Sequence, residues 1–418
     1  MTMQPAWLVR FLLPPALLLC VACNRTETQS SAAGPDQILQ AAVEVGKVSG
    51  IVAAAASADG ELHQGAFGKK SVESGEPMLA DTIFRIASMT KPATSVAVMQ
   101  FVEQGKVSLD ESIGAYLPEL KSPKVLEGFD ADGKPRLRDA TRPPTVRELL
   151  SHTSGYAYSN WNEDMGRYES GVELPSGRER LWKLPLTADP GSQWQYSAST
   201  DILGVLVESV SGMTLEDYFQ KNIFQPLGMA DTTFQMPAAK WPRVAATSQR
   251  EAGGSLTPRP LPATPPTVTF FSGGGGLYST AADYIRFLRA LLNGGTLDGV
   301  QLLKPETVGL MAQNHIGDLE AGTMPSFRPE TSANVNFFPH SKDKFGLGFL
   351  INTEPVEGGR ASGSLAWAGI FNTYFWIDRE KDVCGVLLTQ VLPFADPTVL
   401  AILEDYEKSI YTAFRNDR

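Results

Sequence analysis

A serine and a lysine three residues apart are the first residues in this sequence whose types and spacing suit covalent chemistry. Ser88-Met89-Thr90-Lys91 stands at the start of a stretch with helical spacing, so the side chains of Ser88 and Lys91 lie on one face. A serine hydroxyl becomes a good nucleophile when a neighbouring base accepts its proton and a helix N-terminus stabilises the developing negative charge. Burial lets a lysine serve as that base. The alternative is that Ser88 only caps the helix and Lys91 is a solvated surface residue.

A tyrosine is the second candidate. Tyr196-Ser197-Ala198 follows the turn-like Pro190-Gly191 and precedes a predicted helix. A buried tyrosine near a lysine can act as a second proton carrier, whereas a tyrosine taken singly is more often part of the core. Together, Ser88, Lys91 and Tyr196 predict a serine hydrolase that works through an acyl-enzyme.

Other catalytic arrangements lack their motifs. His152 is the alternative base, but the sequence has no Gly-x-Ser-x-Gly elbow, so we interpret His152 as structural. The four histidines are widely separated and none belongs to a His-Glu-x-x-His motif, so we expect neither a metal nor a cofactor. The run Gly273 to Gly276 lacks the Lys-Ser/Thr of a phosphate loop and is interpreted as a tight turn before a helix.

The elements that must position these residues come from both ends of the chain. Apolar spacing predicts a helix from Met89 to Gln104, which contains Lys91 and ends at Gly105. We further predict helices at 36–45, 145–151, 199–210, 215–223, 280–293 and 398–414, and strands at 49–56, 62–67, 345–351, 364–367, 373–377 and 383–388. Asp59-Gly60 joins the first two strands as a hairpin, and the last helix is expected to pack beside the first.

This pattern predicts an α/β (α+β) fold in which an antiparallel sheet is flanked by helices. Residues 36–110 and 271–418 are assigned to the α/β domain. Residues 111–270, with helices separated by long Pro- and Gly-bearing loops, are assigned to an inserted, mostly helical domain.

The N-terminus is interpreted as a targeting segment. Arg10 precedes an apolar stretch that is too short to cross a bilayer, so residues 1–23 are predicted to be a signal peptide. Small residues before Cys23 favour lipid attachment there, although Cys20 occupies a position where Leu is usual, and plain cleavage is the alternative. Residues 24–35 would be a flexible tether. We expect a periplasmic or secreted protein, or an outer-membrane lipoprotein attached to the membrane through Cys23.

The charge of the chain limits its possible partners, and its cysteine content limits disulfide formation. The sequence has 46 acidic and 36 basic residues, and it has no run of Lys and Arg that could bind along a phosphate backbone. Nucleic acid is therefore not expected as a partner. Removal of the leader would leave Cys384 as the only cysteine in the globular part, which excludes an internal disulfide there.

Five segments in order resemble the family VIII carboxylesterases, serine esterases related to class C β-lactamases and penicillin-binding proteins. The likeness runs from about residue 37 to 415, and its segments are 84–91, 148–155, 190–196, 273–282 and 345–349. The resemblance implies a β-lactamase/transpeptidase-like fold, with Ser88 as nucleophile and Lys91 and Tyr196 as proton-transfer groups. It also implies an oxyanion hole made by the backbone N–H groups of Ser88 and Ile370.

Two positions depart from the β-lactamase pattern. Trp367-Ala368-Gly369 stands where β-lactamases carry Lys-Thr-Gly, and Ala198 stands where they carry Asn. An indole offers apolar surface and one N–H donor instead of a cation, which favours small neutral carboxylic esters as substrates.

Trp367, Ala368 and Gly369 are therefore expected to contact the substrate. Gly369 would let the backbone approach it closely, with a simple turn as the alternative. The loop aromatics Tyr156 and Trp194 are further candidates for substrate binding, or else anchor their loops.

Three rival functions stay open. A β-lactamase or D-Ala-D-Ala carboxypeptidase would use the same three residues, but Trp367 and Ala198 count against it. Transfer of the acyl group to an alcohol other than water would also use them. A non-catalytic protein that binds a cell-wall fragment is disfavoured because Ser88, Lys91 and Tyr196 are all retained.

Overall fold

The computed structural model describes residues 1–3 and 33–414. Apart from residues 1–3, the predicted signal peptide lies outside the described residues, as do Cys23 and the predicted tether up to residue 32. Within 33–414, no helix is long and apolar enough to span a membrane.

Every α-helix in the described part of the chain contains buried residues. The α-helices are α1 Pro35–Glu44, α2 Lys91–Glu103, α3 Ile113–Tyr116, α4 Val146–Leu150, α5 Glu163–Gly171, α6 Arg178–Leu181, α7 Ser199–Ser211, α8 Leu215–Phe219, α9 Ala281–Leu292, α10 Pro305–Met311 and α11 Pro397–Phe414. Shorter turns of 3₁₀-helix lie at Ala87–Thr90, Pro118–Leu120 and Trp241–Arg243, and a π-helical segment lies at Gln220–Phe224.

The strands fall into one large sheet and several short ladders. They are β1 Gly50–Ala56, β2 Glu61–Gly68, β3 Phe84–Arg85, β4 Lys124–Phe129, β5 Pro135–Asp139, β6 Thr247–Arg250, β7 Leu256–Arg259, β8 Tyr278–Ser279, β9 Thr296–Leu297, β10 Val300–Gln301, β11 Thr323–Met324, β12 Val335–Asn336, β13 Lys344–Phe345, β14 Leu350–Ile351, β15 Leu365–Gly369, β16 Thr373–Asp378, β17 Val383–Leu388 and β18 Val391–Leu392.

The central sheet is antiparallel and combines both ends of the chain. Its order is β13-β14-β15-β16-β17-β1-β2, and β1 pairs with β17 in a register that places Val52 opposite Leu388. β1 consists of Gly, Ala, Ile and Val and is buried along its whole length. α9 packs on β1 and β17, and α1 packs on β2 and beside α11. The predicted antiparallel sheet, first hairpin and paired terminal helices are confirmed.

α2 is the helix that carries the predicted base. Every residue from Lys91 to Met99 is buried, because Ala, Val, Thr, Ser and Met cover all of its sides, as expected for a helix inside a core. One of its neighbours is α7, which begins three residues after Tyr196. Packing α2 against α7 therefore brings the two predicted proton carriers together.

Two features differ from the expected elements. The strand predicted at 345–351 is interrupted: Gly348 has a left-handed φ of +101°, and a Cβ there would lie 2.3 Å from Ser95 Oγ. The segment 111–270 carries strands as well as helices, and its β6 pairs in parallel with β18. The division into an α/β domain and an inserted domain stays a prediction.

Candidate active site

Ser88 lies in the 3₁₀ turn that leads into α2 and faces a pocket of about 290 Å³. The preceding residue, Ala87, has φ +45°, a conformation that costs a residue with a Cβ roughly 1–3 kcal/mol. Thr90 fixes the turn, because its Oγ1 donates to the Ala87 carbonyl at 2.7 Å and accepts from the Leu277 N–H at 3.1 Å. Ser88 is thus held at a helix start, where backbone N–H groups have no partner within the helix.

Lys91 is 2% exposed and its amine lies among three oxygens. Nζ is 3.3 Å from Ser88 Oγ, 2.7 Å from the Gly274 carbonyl oxygen and 3.4 Å from Tyr158 Oη. Burial lowers the pKa of Lys91 to about 7, although the nearby Asp201 carboxylate raises it. A substantial fraction of Lys91 is therefore a free amine at neutral pH.

Tyr196 completes the predicted trio. The Lys91 amine lies 4.6 Å from the centre of its ring, and its Oη accepts a hydrogen bond from Trp367 Nε1 at 3.1 Å. Burial raises the pKa of Tyr196 well above its ordinary value, while hydrogen bonds with Ser88 and Trp367 oppose part of that rise. The phenol is therefore protonated at neutral pH, and the structure brings Ser88, Lys91 and Tyr196 together.

Two further polar residues support the lysine. The Tyr158 hydroxyl donates to Asp201 Oδ2 at 3.3 Å, and Asp201 Oδ1 accepts from Ser272 Oγ at 2.5 Å and from the Gly274 N–H at 3.1 Å. Asp201 is 8% exposed and lies in the first turn of α7, five residues after Tyr196. The sequence interpretation did not include Asp201. Its signal is an acidic residue directly before the apolar run of a buried helix.

The glycine run from Gly273 to Gly276 also contributes hydrogen bonds to the site. The Gly274 carbonyl accepts from Lys91 and its N–H donates to Asp201. A Cβ at Gly274 would lie 2.6 Å from Asp201 Oδ2 and 3.0 Å from Tyr158 Oη, so a side chain has no room there. The run forms a turn at residues 273–275, as predicted, and Gly274 has a further role beside Lys91 that the prediction did not include.

The predicted oxyanion donors border the same pocket. Ile370 follows the last residue of β15, and Ser88, Ala368 and Ile370 all line the pocket. Gly369 does not line it. A Cβ at Gly369 would lie 2.2 Å from the Ile86 carbonyl oxygen, so this glycine lets β15 pack against the segment before Ser88. Its predicted contact with the substrate stays a prediction.

Tyr156 and Trp194, two predicted substrate-binding residues, do not line the pocket. Tyr156 is 1% exposed, inside the core. Trp194 packs against His152 and Phe345, with ring centroids 6.5 and 5.6 Å apart. Both aromatics therefore anchor their loops.

His152 also has a supporting position. Its Nδ1 is 3.3 Å from Ser197 Oγ, and its ring packs edge-on against Tyr196 at 5.0 Å. Burial and the nearby Lys91 lower its pKa well below the ordinary value, so the imidazole is neutral. His152 thus packs against and holds the segment that contains Tyr196 and Ser197. Among residues 33–414, no three His, Cys, Asp or Glu side chains cluster as a metal site.

The chain has an antiparallel sheet with flanking helices, and a serine and a lysine lie at the start of a buried helix. This is the arrangement of the serine enzymes with the β-lactamase fold. Residues 35–405 match the family model described as Beta-lactamase. The chain belongs to the β-lactamase family, and the predicted fold and the predicted class of enzyme are confirmed.

The similar proteins include enzymes of ester chemistry. Lovastatin esterase of Penicillium rubens is 32% identical over 410 residues, covering 91% of this chain and 98% of that protein. Monacolin J acid methylbutanoyltransferase of Aspergillus terreus is 32% identical over 405 residues, covering 90% and 94%. The solved structure of unliganded simvastatin synthase from Aspergillus terreus has a TM-score of 0.81 at 31% identity, covering 92% of this chain and all of that one (100%).

Proposed function

We propose that the protein cleaves small carboxylic esters through an acyl-enzyme on Ser88, with Lys91 as the base and Tyr196 as the acid. The observation that carries this proposal is the position of a buried Lys91 amine 3.3 Å from the serine hydroxyl, with a pKa of about 7. A base whose pKa lies near the working pH combines a useful free fraction with useful basicity.

The hydrogen bonds around Lys91 orient its lone pair. A neutral amine has two N–H groups, and the Gly274 carbonyl and Tyr158 Oη supply two acceptors. Tyr158 is free to accept because its own proton goes to Asp201. The amine lone pair is then left for the Ser88 hydroxyl, so Lys91 is prepared to take the serine proton.

The hydrogen bonds around Tyr196 suit a general acid, the role opposite to that of Lys91. Trp367 donates to Tyr196 Oη, so the phenol proton points elsewhere, and Ser88 is its other side-chain partner. A phenol with a raised pKa keeps its proton until a strong base such as an alkoxide forms beside it. These contacts support Tyr196 as the group that protonates the leaving alcohol.

The proposed reaction has two halves. Ser88 Oγ attacks the ester carbonyl carbon while its proton passes to Lys91, and the bond to the alcohol breaks as Tyr196 protonates the alkoxide. The proton on Lys91 then replaces the one that Tyr196 lost. Water attacks the acyl-enzyme by the reverse path and releases the acid. The N–H groups of Ser88 and Ile370 would stabilise the oxyanion, and one such donor contributes roughly 3 kcal/mol in other hydrolases.

The surroundings favour esters over β-lactams. At the position of the β-lactamase lysine, Trp367 presents no cation to a substrate carboxylate, and its one N–H is already bound to Tyr196. Tyr158, Trp161 and Phe394 add further aromatic surface to the pocket. The esterase name of the Penicillium rubens relative supports the same substrate class.

Acyl transfer is the second candidate. It differs from hydrolysis only in the acceptor, which would be an alcohol instead of water. The similarity to a methylbutanoyltransferase over 90% of the chain is the observation that favours it.

Hydrolysis of p-nitrophenyl acetate, butyrate and octanoate by the wild type and by Ser88→Ala tests the proposal, with nitrocefin as the β-lactam. We expect Ser88-dependent ester cleavage that exceeds nitrocefin turnover. Rapid nitrocefin turnover with feeble ester cleavage would instead show a β-lactamase. Added aliphatic alcohols would reveal acyl transfer as ester products in place of the free acid.

A further inference from the structure

The turn that carries one of the two proposed oxyanion donors leaves that donor unpaired. Ile370 lines the pocket from the turn 370–372 between β15 and β16, and its N–H has no acceptor among the described residues. Backbone N–H groups in folded proteins are nearly always paired, so a free one at the edge of a pocket is available to a substrate oxygen. Its direction depends on how the turn is held.

Contacts with neighbouring backbone hold the two ends of this turn. Gly369, the last residue of β15, packs against the Ile86 carbonyl, and Thr373 Oγ1 donates to the same carbonyl at 3.3 Å. Within the turn, the Phe371 carbonyl accepts from Thr389 Oγ1 at 3.0 Å. These contacts fix the strand ends and one carbonyl. The side chain of Phe371 is held by another group.

Arg85 is the group that contacts this side chain. Its guanidinium carbon lies 4.3 Å from the centre of the Phe371 ring. The guanidinium is itself anchored, because Nε donates to Gln390 Oε1 at 3.4 Å and Nη2 donates to Thr247 Oγ1. Gln390 Nε2 also donates to the Arg85 carbonyl at 3.0 Å. The backbone and the side chain of Arg85 are thus both fixed, and the guanidinium is a rigid partner for the ring.

The charge of Arg85 is not neutralised by an acidic residue. Arg85 is half-buried, and no carboxylate among the described residues forms an ion pair with it. Burial lowers the pKa of this guanidinium, and only Tyr278 opposes the change. A cation that has lost water needs another attractive partner, and the π-system of an aromatic ring is one. The Phe371 ring therefore compensates Arg85, together with the two neutral hydrogen bonds.

We propose that Arg85 is a positioning residue of the oxyanion hole, whose contact with Phe371 fixes the turn 370–372 and thereby directs the Ile370 N–H toward the substrate oxygen. Arg85 lies three residues before Ser88, and Phe371 directly follows Ile370, so this contact connects the segments of both donors. Arg85 does not line the pocket and acts only through the turn. The inference rests on the proposed function, because the oxyanion forms when Ser88 attacks an ester.

Arg85→Met tests the inference, because it keeps an unbranched apolar side chain and removes the guanidinium. The kcat/KM for phenyl acetate should fall by about tenfold, part of the hundredfold or more that loss of a whole oxyanion donor costs. Arg85→Lys keeps a cation beside the ring and should restore part of the loss. Phe371→Leu removes the same contact from the other side and should match Arg85→Met. Thermal unfolding checks that each variant is folded.

A trifluoromethyl ketone separates positioning from a general structural role. Ser88 Oγ adds to the carbonyl carbon of 1,1,1-trifluoropentan-2-one, its proton passes to Lys91, and the carbonyl oxygen becomes an oxyanion. Because this adduct needs the same donors as the transition state, its Ki should weaken in Arg85→Met by the same factor as kcat/KM falls. A folded Arg85→Met protein with wild-type kcat/KM and Ki would overturn the inference and leave the Ser88 mechanism intact.

Arg167→Met is the matched control. The Arg167 guanidinium carbon lies 4.0 Å from the centre of the Phe129 ring, and neither residue lines the pocket. The same substitution there removes the same kind of contact and should leave kcat/KM and Ki at their wild-type values. The double variant of Arg85→Met and Phe371→Leu should lose no more activity than either single variant, because the contact is already gone. Additive losses would show that the two residues act separately.

The order of the turn can be measured without turnover. Nitrogen-15 relaxation should give the Ile370 amide an order parameter near the rigid value of about 0.85 in the wild type, and a lower one in Arg85→Met but not in Arg167→Met. An order parameter that Arg85→Met leaves unaltered would overturn the positioning role, whether or not the protein cleaves esters. A lowered one in a protein that cleaves neither esters nor nitrocefin would support the role of Arg85 in the turn and reject the proposed function.

Discussion

The indole Nε1–H of Trp367 donates a hydrogen bond to the hydroxyl oxygen of Tyr196 over 3.1 Å. The two rings also pack together, with centroids 4.8 Å apart. Because an indole N–H can only donate, Tyr196 Oη must accept, and the phenol proton is directed away from Trp367. One residue thus supplies apolar surface to the pocket and fixes the orientation of the proposed acid.

If Tyr196 is the acid, the cost of Tyr196→Phe depends on the leaving group. A p-nitrophenolate leaves without a proton, whereas an ethoxide needs one. We expect Tyr196→Phe to lower kcat/KM for ethyl butyrate by about a hundredfold or more, the usual contribution of general acid catalysis, and to lower p-nitrophenyl butyrate hydrolysis far less. Initial rates with both esters measure the difference.

Tyr158→Phe is the control for that experiment. Its hydroxyl contacts Lys91 and Asp201 and supports the base, so both esters should lose activity by the same factor. Equal losses for the two esters in Tyr196→Phe would show that Tyr196 acts on the nucleophile, and the assignment as acid would be wrong.

Trp367→Phe tests the hydrogen bond itself. The substitution keeps an aromatic ring but removes the donor, and a net hydrogen bond contributes about 1 kcal/mol, so ethyl butyrate hydrolysis should fall about fivefold. In the Tyr196→Phe background the same change should cost nothing further, because the acceptor is already gone. Additive losses in the double variant would mean that Trp367 acts through packing alone.

The parts of the site that share a local pattern could be predicted from the sequence. Ser88 and Lys91 are three residues apart at a helix start, and the hairpin of β1 and β2 follows from Asp59-Gly60 between apolar runs. The network of Tyr158, Asp201 and Gly274 could not be predicted in this way. Its members come from three distant segments, and only the packing of α2 against α7 and the glycine run brings them together.

The differences from the sequence-based expectations have the same origin. Tyr156 and Trp194 lie in loops and do not line the pocket, because the direction of a loop side chain depends on tertiary packing. The strand predicted at 345–351 is broken because Gly348 packs against Ser95, a contact between residues more than two hundred positions apart. Periodicity alone does not contain such contacts.

The pH dependence follows from the ionisation of Lys91. Because burial holds its pKa at about 7, the free amine forms as the pH rises through 7, and kcat/KM should rise with it and then level off. Asp201 raises this pKa, so Asp201→Asn should move the rising limb to lower pH. Profiles of p-nitrophenyl butyrate hydrolysis between about pH 5 and about pH 9 measure the limb.

Ser272→Ala separates charge from structure in the same experiment. It removes a hydrogen bond to Asp201 but keeps the carboxylate charge, so the limb should stay near pH 7 even if the plateau falls. A limb that moves equally in both variants, or in neither, would show that the charge of Asp201 does not set the ionisation of Lys91.

Gly274 and Gly275 provide the last comparison. A methyl group at Gly274 would lie 2.6 Å from Asp201 Oδ2, whereas at Gly275 the nearest atom would be 3.8 Å away. We expect Gly274→Ala to displace the backbone from Lys91 and Asp201, which should lower kcat/KM by about a hundredfold, the scale of a catalytic group moved by 1 Å. Gly275→Ala should remain within about threefold of the wild type, because an ordinary van der Waals contact carries only tenths of a kcal/mol. Thermal unfolding of both variants separates loss of the fold from loss of the site. If a folded Gly274→Ala protein retained wild-type activity, the Gly274 carbonyl could not be the group that orients Lys91.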